Sequence, residues 1–572
     1  MGVSNYNFGN FSNADNGENK RLLGAILFSV MFLAVWNFFT APSEEELAQM
    51  EKNRKKSSVE ISIDGTENGD SVIALKNTKN ALKVEKKKEK KEIFLQNDKV
   101  NVGFDIANNR MTFYALKHFK QHEKSIKNIT LLDDEHFFET GWLGDVKNND
   151  IKWQVKSKTN NSIVLIGNYN NFVFENSYFL NDDYTVRISK KVVNNGSSAV
   201  SVADYSRISE KNTTDRIENI GAFRGVLFVN EDKVNEFNYD KIAKNTITQS
   251  GKLGSWIGFS DQYWITALAS KNKNDEANIS YSAKHGNRQD DIYQVDFCSD
   301  LLTLKSGEKI EKETLLIVAP KKLELLQDIE KKYGLQKFDK AIDFGMFYFL
   351  SKPLLIILKR LNSISGNFGV AIILLTILVR MIIFPLANRS YRVSAKMKKI
   401  APQIEEVRKR CGDDKKTLQT ETYKIYKDNN VNPMSAIFPL LLQIPIFFAL
   451  YKVLVISIEM RDAPFIGWII DLSTRDPSSV FNLFGLLNFE VPAILQIGLL
   501  PCLMGLTMFI QQKLNPMTGI DPTQAKMMKF FPVIFTIMFA SMPAGLVLYW
   551  ICSNIFTIIQ QGVLIKIVNR EK

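Results

Sequence analysis

Two kinds of hydrophobic patterning divide the chain. From Glu92 to about Pro320, apolar and polar residues alternate in short runs such as Val100-Asn-Val-Gly-Phe-Asp-Ile106, Ile151-Lys-Trp-Gln-Val155 and Tyr184-Thr-Val-Arg-Ile188. A period of two buries one face of a strand, and many short strands separated by turn residues predict a β-sandwich. Asn195-Gly196 lies between two such runs and reads as a hairpin turn. Lys322 to Tyr333 then has helical spacing and is closed by Gly334. Further on, alternation gives way to continuous apolar stretches: Phe368 to Ala387, Ala436 to Ile458, Pro492 to Gln511, Phe530 to Met542 and Ala544 to Ile565. These predict membrane-spanning helices. The stretch from Phe530 to Met542 would reach only roughly 20 Å across a hydrocarbon core of about 30 Å, which predicts a locally thinned bilayer. Asp343 to Arg360 is aromatic at its start, basic at its end and interrupted by Pro353. It predicts a helix lying in the membrane interface.

The start of the chain adds a sixth span. Leu22 to Thr40 carries no charge, follows Lys20-Arg21 and ends in the aromatic group Trp36, Phe38 and Phe39, which suits an uncleaved anchor. Residues 41 to about 91 are rich in Lys, Glu, Asn and Ser and predict a disordered tether. The expected organisation is a cytoplasmic N-terminus over 1–21, a first span over 22–40, a tether over 41–91 and an outer β-domain over 92–340. An interfacial helix over 341–366 and a five-span core over 367–572 follow, the core containing a helical hairpin at 388–433. Charge gives the orientation. The segment from Arg389 to Lys427 holds twelve basic and five acidic residues, whereas Glu459 to Glu490 is net acidic with only Arg461 and Arg475. Basic loops stay in the cytoplasm, so both termini are expected inside and the β-domain outside.

Several kinds of chemistry are excluded. The four cysteines, Cys298, Cys411, Cys502 and Cys552, are scattered, and only Cys298 falls in the polar region, so no disulfide framework or zinc site is expected. There is no G-x-x-x-x-G-K-[ST] loop and no H-E-x-x-H. His118, His122, His136 and His285 all lie in the polar region, and the spans hold neither a histidine nor paired aspartates for hydrolysis. No cofactor, metal or catalytic residue is expected.

The most informative residue is Arg380, inside an otherwise apolar span and about 12 Å from its cytoplasmic end at 1.5 Å per residue. An arginine at that depth costs at least roughly 2.5–3.5 kcal/mol, so it either snorkels or faces water. Lys452, nearer the outer end of its span, reads as a snorkelling residue. Thr376, Gln443, Gln496, Thr507, Ser553, Asn554 and Thr557 also sit at membrane depth and favour a hydrated inner surface. In the basic loop, Met397, Ile400, Ile404 and Val407 form one stripe and Leu418, Ile425 and Tyr426 a second, with Asp414 as an N-cap between them. This predicts an antiparallel hairpin suited to anionic lipid, RNA or a targeting factor.

The apolar third resembles the YidC/Oxa/Alb insertase family. The resemblance rests on Phe349-Leu-Ser-Lys-Pro-Leu, Thr376-Ile-Leu-Val-Arg380, Asn432-Pro-Met, Phe438-Pro-Leu-Leu-Leu-Gln-Ile-Pro-Ile-Phe447, Ala463-Pro-Phe, Asp471-Leu-Ser, Met508-Phe-Ile-Gln-Gln-Lys, Phe531-Pro-Val-Ile-Phe-Thr and Gly545-Leu-Val-Leu-Tyr549-Trp550-Ile-Cys-Ser-Asn554, in family order. Phe223-Arg-Gly225, Gly254-Ser-Trp256 and Gln262-Tyr263 resemble the outer domain of the Gram-negative members more loosely. The resemblance implies a periplasmic β-supersandwich and a bacterial inner-membrane insertase and chaperone that works without nucleotide hydrolysis. Its implied partners are nascent membrane proteins, the lipid bilayer, the Sec translocon (SecYEG with SecDF), and the ribosome or signal recognition pathway at the hairpin and tail. It implies a client groove of Arg380, Thr376, Gln443, Tyr549, Trp550 and Asn554, with Trp550 standing where a tyrosine is expected. A client slide would comprise Phe447, Phe448, Phe535 and Met538. Two other readings differ from it: a transporter, which predicts internal repeats not seen here, and a membrane-anchored sugar-processing enzyme, which predicts paired carboxylates in the β-domain.

Overall fold

The computed structural model describes residues 92–121, 125–211, 222–231, 233–271, 279–287, 292–412, 414–432, 434–485, 487, 491–492, 496–514 and 522–570. The expected first span and tether lie outside them.

The β-domain is two antiparallel sheets packed face to face. The ten-stranded sheet runs, in spatial order, through 92–96, 100–105, 110–120, 137–144, 200–211, 292–298, 279–287 and 247–251, with 128–132 and 302–304 pairing at its side. The nine-stranded sheet runs through 233–237, 225–230, 256–260, 264–270, 309–320, 185–194, 172–180, 162–169 and 152–158. Phe172–Leu180 shows why: its buried and half-buried residues alternate almost without exception. The edge strand Lys152–Lys158 is nearly all exposed and carries Lys152, Lys156 and Lys158, charges that discourage edge-to-edge pairing.

Asn195-Gly196 is not a hairpin turn. The strand before it, Thr185–Asn194, belongs to the nine-stranded sheet, and the strand after it, Val200–Lys211, to the ten-stranded one. Asn194 fixes this crossover: its Nδ2 donates to Ser198 O at 2.8 Å and Leu304 O at 3.1 Å, and its Oδ1 accepts from Gly196 N at 2.9 Å. Between the sheets, Lys190 donates to Asp204, both side chains fully buried. Burial pulls the Lys190 ammonium below its usual range, and Asp204 opposes that pull.

Nine α-helices occur among the described residues: α1 Tyr239–Lys244, α2 Leu323–Tyr333, α3 Tyr348–Ser365, α4 Phe368–Cys411, α5 Lys415–Asp428, α6 Met434–Ile456, α7 Leu499–Leu514, α8 Pro522–Phe539 and α9 Ala544–Arg570. As expected, α2 buries Leu323, Leu326 and Ile329 and ends at Gly334, whose φ of 69° suits a left-handed C-cap. The segment expected to lie in the interface forms α3, with Leu354, Leu355 and Leu358 buried and Met346 and Phe349 beside its start exposed.

The apolar stretches and the helices differ in three places. Rather than stopping near Ala387, α4 runs through Pro385 and Pro402 to Cys411, so one helix is both span and first arm of the hairpin. The hairpin closes as expected, with Asp414 accepting from Lys416 N and Thr417 N at 3.1 and 3.2 Å and with Ile400, Ile404, Ile425 and Tyr426 packed together. Helix α8 begins at Pro522, a residue suited to a first helical turn, so it is longer than the apolar run from Phe530. Helix α7 starts at Leu499 rather than Pro492, and its described residues run to Leu514.

The β-domain meets the outer end of the bundle through polar contacts. Asp343 pairs with Lys452 at 2.6 Å and accepts from Phe223 N at 3.2 Å, so Lys452 is half of an ion pair rather than a snorkelling residue. Gln262 Nε2 donates to Val455 O at 2.7 Å, and Arg461 donates to Lys120 O and Gln121 O at 2.7 and 2.8 Å. Phe223 and Gln262 come from the segments that carry the outer-domain resemblance. Lys321, beside this junction, is pushed down to about 8 by burial, against the opposing pull of Asp261, Asp343 and Glu236.

Candidate functional site

The site is organised by α9, where Tyr549, Ser553 and Thr557 recur every four residues and therefore line one face. All three are buried. Arg380, half-buried on α4, donates from its guanidinium to the Ser553 hydroxyl. One turn earlier on α9, the Tyr549 hydroxyl accepts from Gln443 Nε2 of α6 at 2.7 Å and lies against Ser553. Gln443, Tyr549, Ser553 and Arg380 thus form one polar line joining α6, α9 and α4.

A guanidinium has five N–H donors. Among the described residues no carboxylate forms an ion pair with Arg380; its hydrogen bond goes to a neutral hydroxyl. That leaves positive charge able to attract a carboxylate or a polar chain end at low cost in rearrangement. Thr376, fully buried one turn before Arg380, instead donates to its own helix at Ile372 O, 2.7 Å away. Asn554 faces a different neighbour and donates to Thr507 Oγ1 on α7 at 3.1 Å.

Trp550 lies among aromatic rings. Its ring is 5.1 Å from Phe447 and 5.6 Å from Phe539, and Phe539 stacks on Phe535 at 6.0 Å. This cluster binds α6, α8 and α9 together. Phe447 and Phe535, two of the four slide residues, belong to it. Phe448 is more exposed and stacks on Phe347 at 6.4 Å, and Met538 is half-buried. Most residues singled out from sequence therefore fall into a polar line (Arg380, Gln443, Tyr549) and an aromatic seam (Trp550, Phe447, Phe535), while Thr376 bonds within its own helix and Asn554 joins α9 to α7. Ser553 is the main addition. Its sequence signal was a hydroxyl at membrane depth, one turn after Tyr549.

Phe368–Val393 and Ala544–Val563 are each long and apolar enough to cross a bilayer. A bundle of such helices, with a polar line inside it and a β-supersandwich on its outer end, defines a multi-span membrane protein with a large external domain. The family model described as 60Kd inner membrane protein matches residues 360–571, and that described as YidC periplasmic domain matches residues 92–357. Membrane protein insertase YidC of Rickettsia conorii is 34% identical over 566 residues, covering 96% of this chain and 99% of its own length. Its counterpart in Rickettsia bellii is 33% identical over 564 residues, covering 96% and 98%. A crystal structure of an active YidC insertase with its first transmembrane domain resolved covers 83% of this chain and 93% of that one, at 18% identity and a TM-score of 0.36. The chain belongs to the YidC family of membrane protein insertases. Its place is therefore the inner membrane, with the β-supersandwich as the periplasmic domain, and its substrates are nascent membrane proteins in the lipid bilayer. The family is one of insertases rather than catalytic enzymes.

Proposed function

We propose that insertion proceeds through a cytoplasm-open hydrophilic groove centred on Arg380, without nucleotide hydrolysis. The polar tail of a client is drawn to the guanidinium and waits partway across the bilayer. Its apolar segment passes the seam at Phe447, Phe448, Phe535 and Met538 and enters lipid, and burial of that segment supplies the driving force. Thr376, Gln443, Tyr549, Trp550 and Asn554 shape the groove and hold its walls. The observation that carries this reading is the bond of Arg380 to a neutral hydroxyl, which leaves its charge unmatched by any ion pair among the described residues.

In this reading six spans place both termini in the cytoplasm, with the domain limits expected from sequence: tether 41–91, β-domain 92–340, interfacial helix 341–366 and insertase core 367–572. The basic hairpin 388–433 and the tail receive the ribosome or the signal recognition pathway, and the Sec translocon shares larger clients. Photo-crosslinkers at Phe447, Phe448, Phe535 and Met538 test the path. Stalled nascent chains with an apolar segment are expected to crosslink there without ATP. Crosslinks to the β-domain with none at these four positions would overturn the proposed path.

A further inference from the structure

The outer segment between α6 and α7 takes no part in the polar line, yet it is held firmly. Buried Asp476 accepts from Trp468 Nε1 at 3.0 Å, Ser478 N at 2.9 Å and Leu500 N at 2.8 Å, and Ser478 Oγ accepts from Leu499 N at 2.9 Å. Thr474 O and Leu472 O accept from Ala544 N at 2.7 Å and Gly545 N at 3.0 Å. The segment thereby satisfies the first free N–H groups of α7 and α9, which a helix start cannot pair internally.

Its polar groups turn inward and its apolar side chains outward. Ile466, Ile470, Phe481, Leu483, Phe484 and Leu487 are each between 45% and 65% exposed. Leu483 and Phe484 have φ of 51° and 59°, the left-handed region that bulky residues avoid. Phe484 N donates to Ser479 O at 2.7 Å and Leu483 N to Val480 O at 3.2 Å, which keeps the turn in place. An apolar surface displayed by a strained, firmly anchored turn calls for something to cover it.

The position of the segment indicates what covers it. It caps the outer starts of α7 and α9, so the lipid-facing surface of the bundle continues directly onto it. Arg475, exposed next to the anchoring Asp476, is placed to meet lipid phosphates.

We propose that the segment is a lipid-binding collar whose apolar side chains enter the outer leaflet and extend the lipid-facing surface of α7 and α9. This goes beyond the groove mechanism and rests only on the bundle's residence in the membrane, so either can fail without the other. To test it, the full chain with Cys298, Cys411, Cys502 and Cys552 replaced by serine receives Phe484→Cys, an NBD label and reconstitution into phosphatidylethanolamine and phosphatidylglycerol vesicles at low protein density. Nitroxide at carbon 5 of the acyl chains is expected to quench the label at least severalfold more than aqueous iodide does. A label at Lys305→Cys on the β-domain should show the reverse. Equal access of iodide to both labels overturns the collar. So does an apolar emission that develops only at high protein density, since a second copy would then be the cover. If Phe484→Cys does not reconstitute, Leu487→Cys carries the same test.

Discussion

Arg207 of the β-domain and Arg380 of the helical bundle are the same cation in two differently built surroundings. Arg207 lies on the ten-stranded sheet between Asp296 and Glu139, and Lys284 and Arg110 complete a row of alternating charge across neighbouring strands. These carboxylates hold the guanidinium protonated far above its ordinary range despite the opposing effect of burial. Every cation in the row has a carboxylate partner, and Arg207 has two. Arg380 has the Ser553 hydroxyl instead. A matched buried cation is part of a scaffold, whereas an unmatched one retains attraction for a visiting anion. The two arginines therefore differ in partner: two carboxylates at Arg207 and a hydroxyl at Arg380.

The largest expected effect breaks the matched side. Arg207→Met leaves Asp296 and Glu139 with only Lys284 and Arg110, and losing one partner of a buried network costs about 3 kcal/mol. Denaturant unfolding of the full chain in detergent, followed by β-domain fluorescence, should show that loss. The same experiment should barely respond to Arg380→Ala, which removes no carboxylate's partner among the described residues. Insertion should respond instead: acidic-tailed clients are expected to lose about tenfold in rate, some 1.4 kcal/mol, and Arg380→Lys to retain most of it. Equal insertion by a well-folded alanine variant would make Arg380 a scaffold residue like Arg207.

The junction between the two regions should give a smaller effect. Lys452→Met leaves Asp343 without its 2.6 Å partner and should weaken docking of the β-domain by about 1–2 kcal/mol, seen as faster proteolysis near residue 343. Adding Asp343→Asn should recover part of the loss, and a strictly additive pair would mean that the contact contributes nothing.

The smallest effect is a pH dependence inside the β-domain. Burial raises the Asp133 carboxyl, but its hydrogen bond and charge interaction with His136 outweigh this and hold it at about 2, below the ordinary 3.8. A carboxyl depressed in the folded state contributes stability that is complete above its unfolded pKa and lost as pH falls through the folded one. The window is therefore about pH 4 down to 2. Asp133 is half-exposed, so solvent screening keeps the contribution below about 1 kcal/mol. Asp133→Asn should shift the unfolding midpoint at pH 5 and leave it nearly unchanged at pH 2.

What could be read from the sequence was whatever depends on local periodicity. The alternation of Phe172–Leu180, the stripe of α2 with its Gly334 cap, and the Asp414 cap of the hairpin all follow from residues a few positions apart. Readings that depend on distant partners were not accessible in the same way. Asn195-Gly196 has hairpin chemistry, but nothing local tells which sheet the next strand joins. Helix α7 starts at Leu499 because Asp476 and Ser478, more than twenty residues earlier, cap it there. The partner of Lys452 is 109 residues away. Arg380 was legible from the cost of its charge among apolar residues, while Ser553 became its partner only once α4 and α9 were packed side by side.

That packing has a consequence for how the chain is made. Ser553, Tyr549 and the amides that meet Thr474 and Leu472 all belong to α9, which leaves the ribosome after the other eight described helices. Until α9 arrives, Arg380 lacks its hydroxyl, Gln443 lacks its phenol and the outer segment lacks its bonds to Ala544 and Gly545. A copy still without α9 therefore has Arg380 without its Ser553 partner. A chain interrupted before residue 544 would remain at that stage, recognisable to membrane proteases as unfinished.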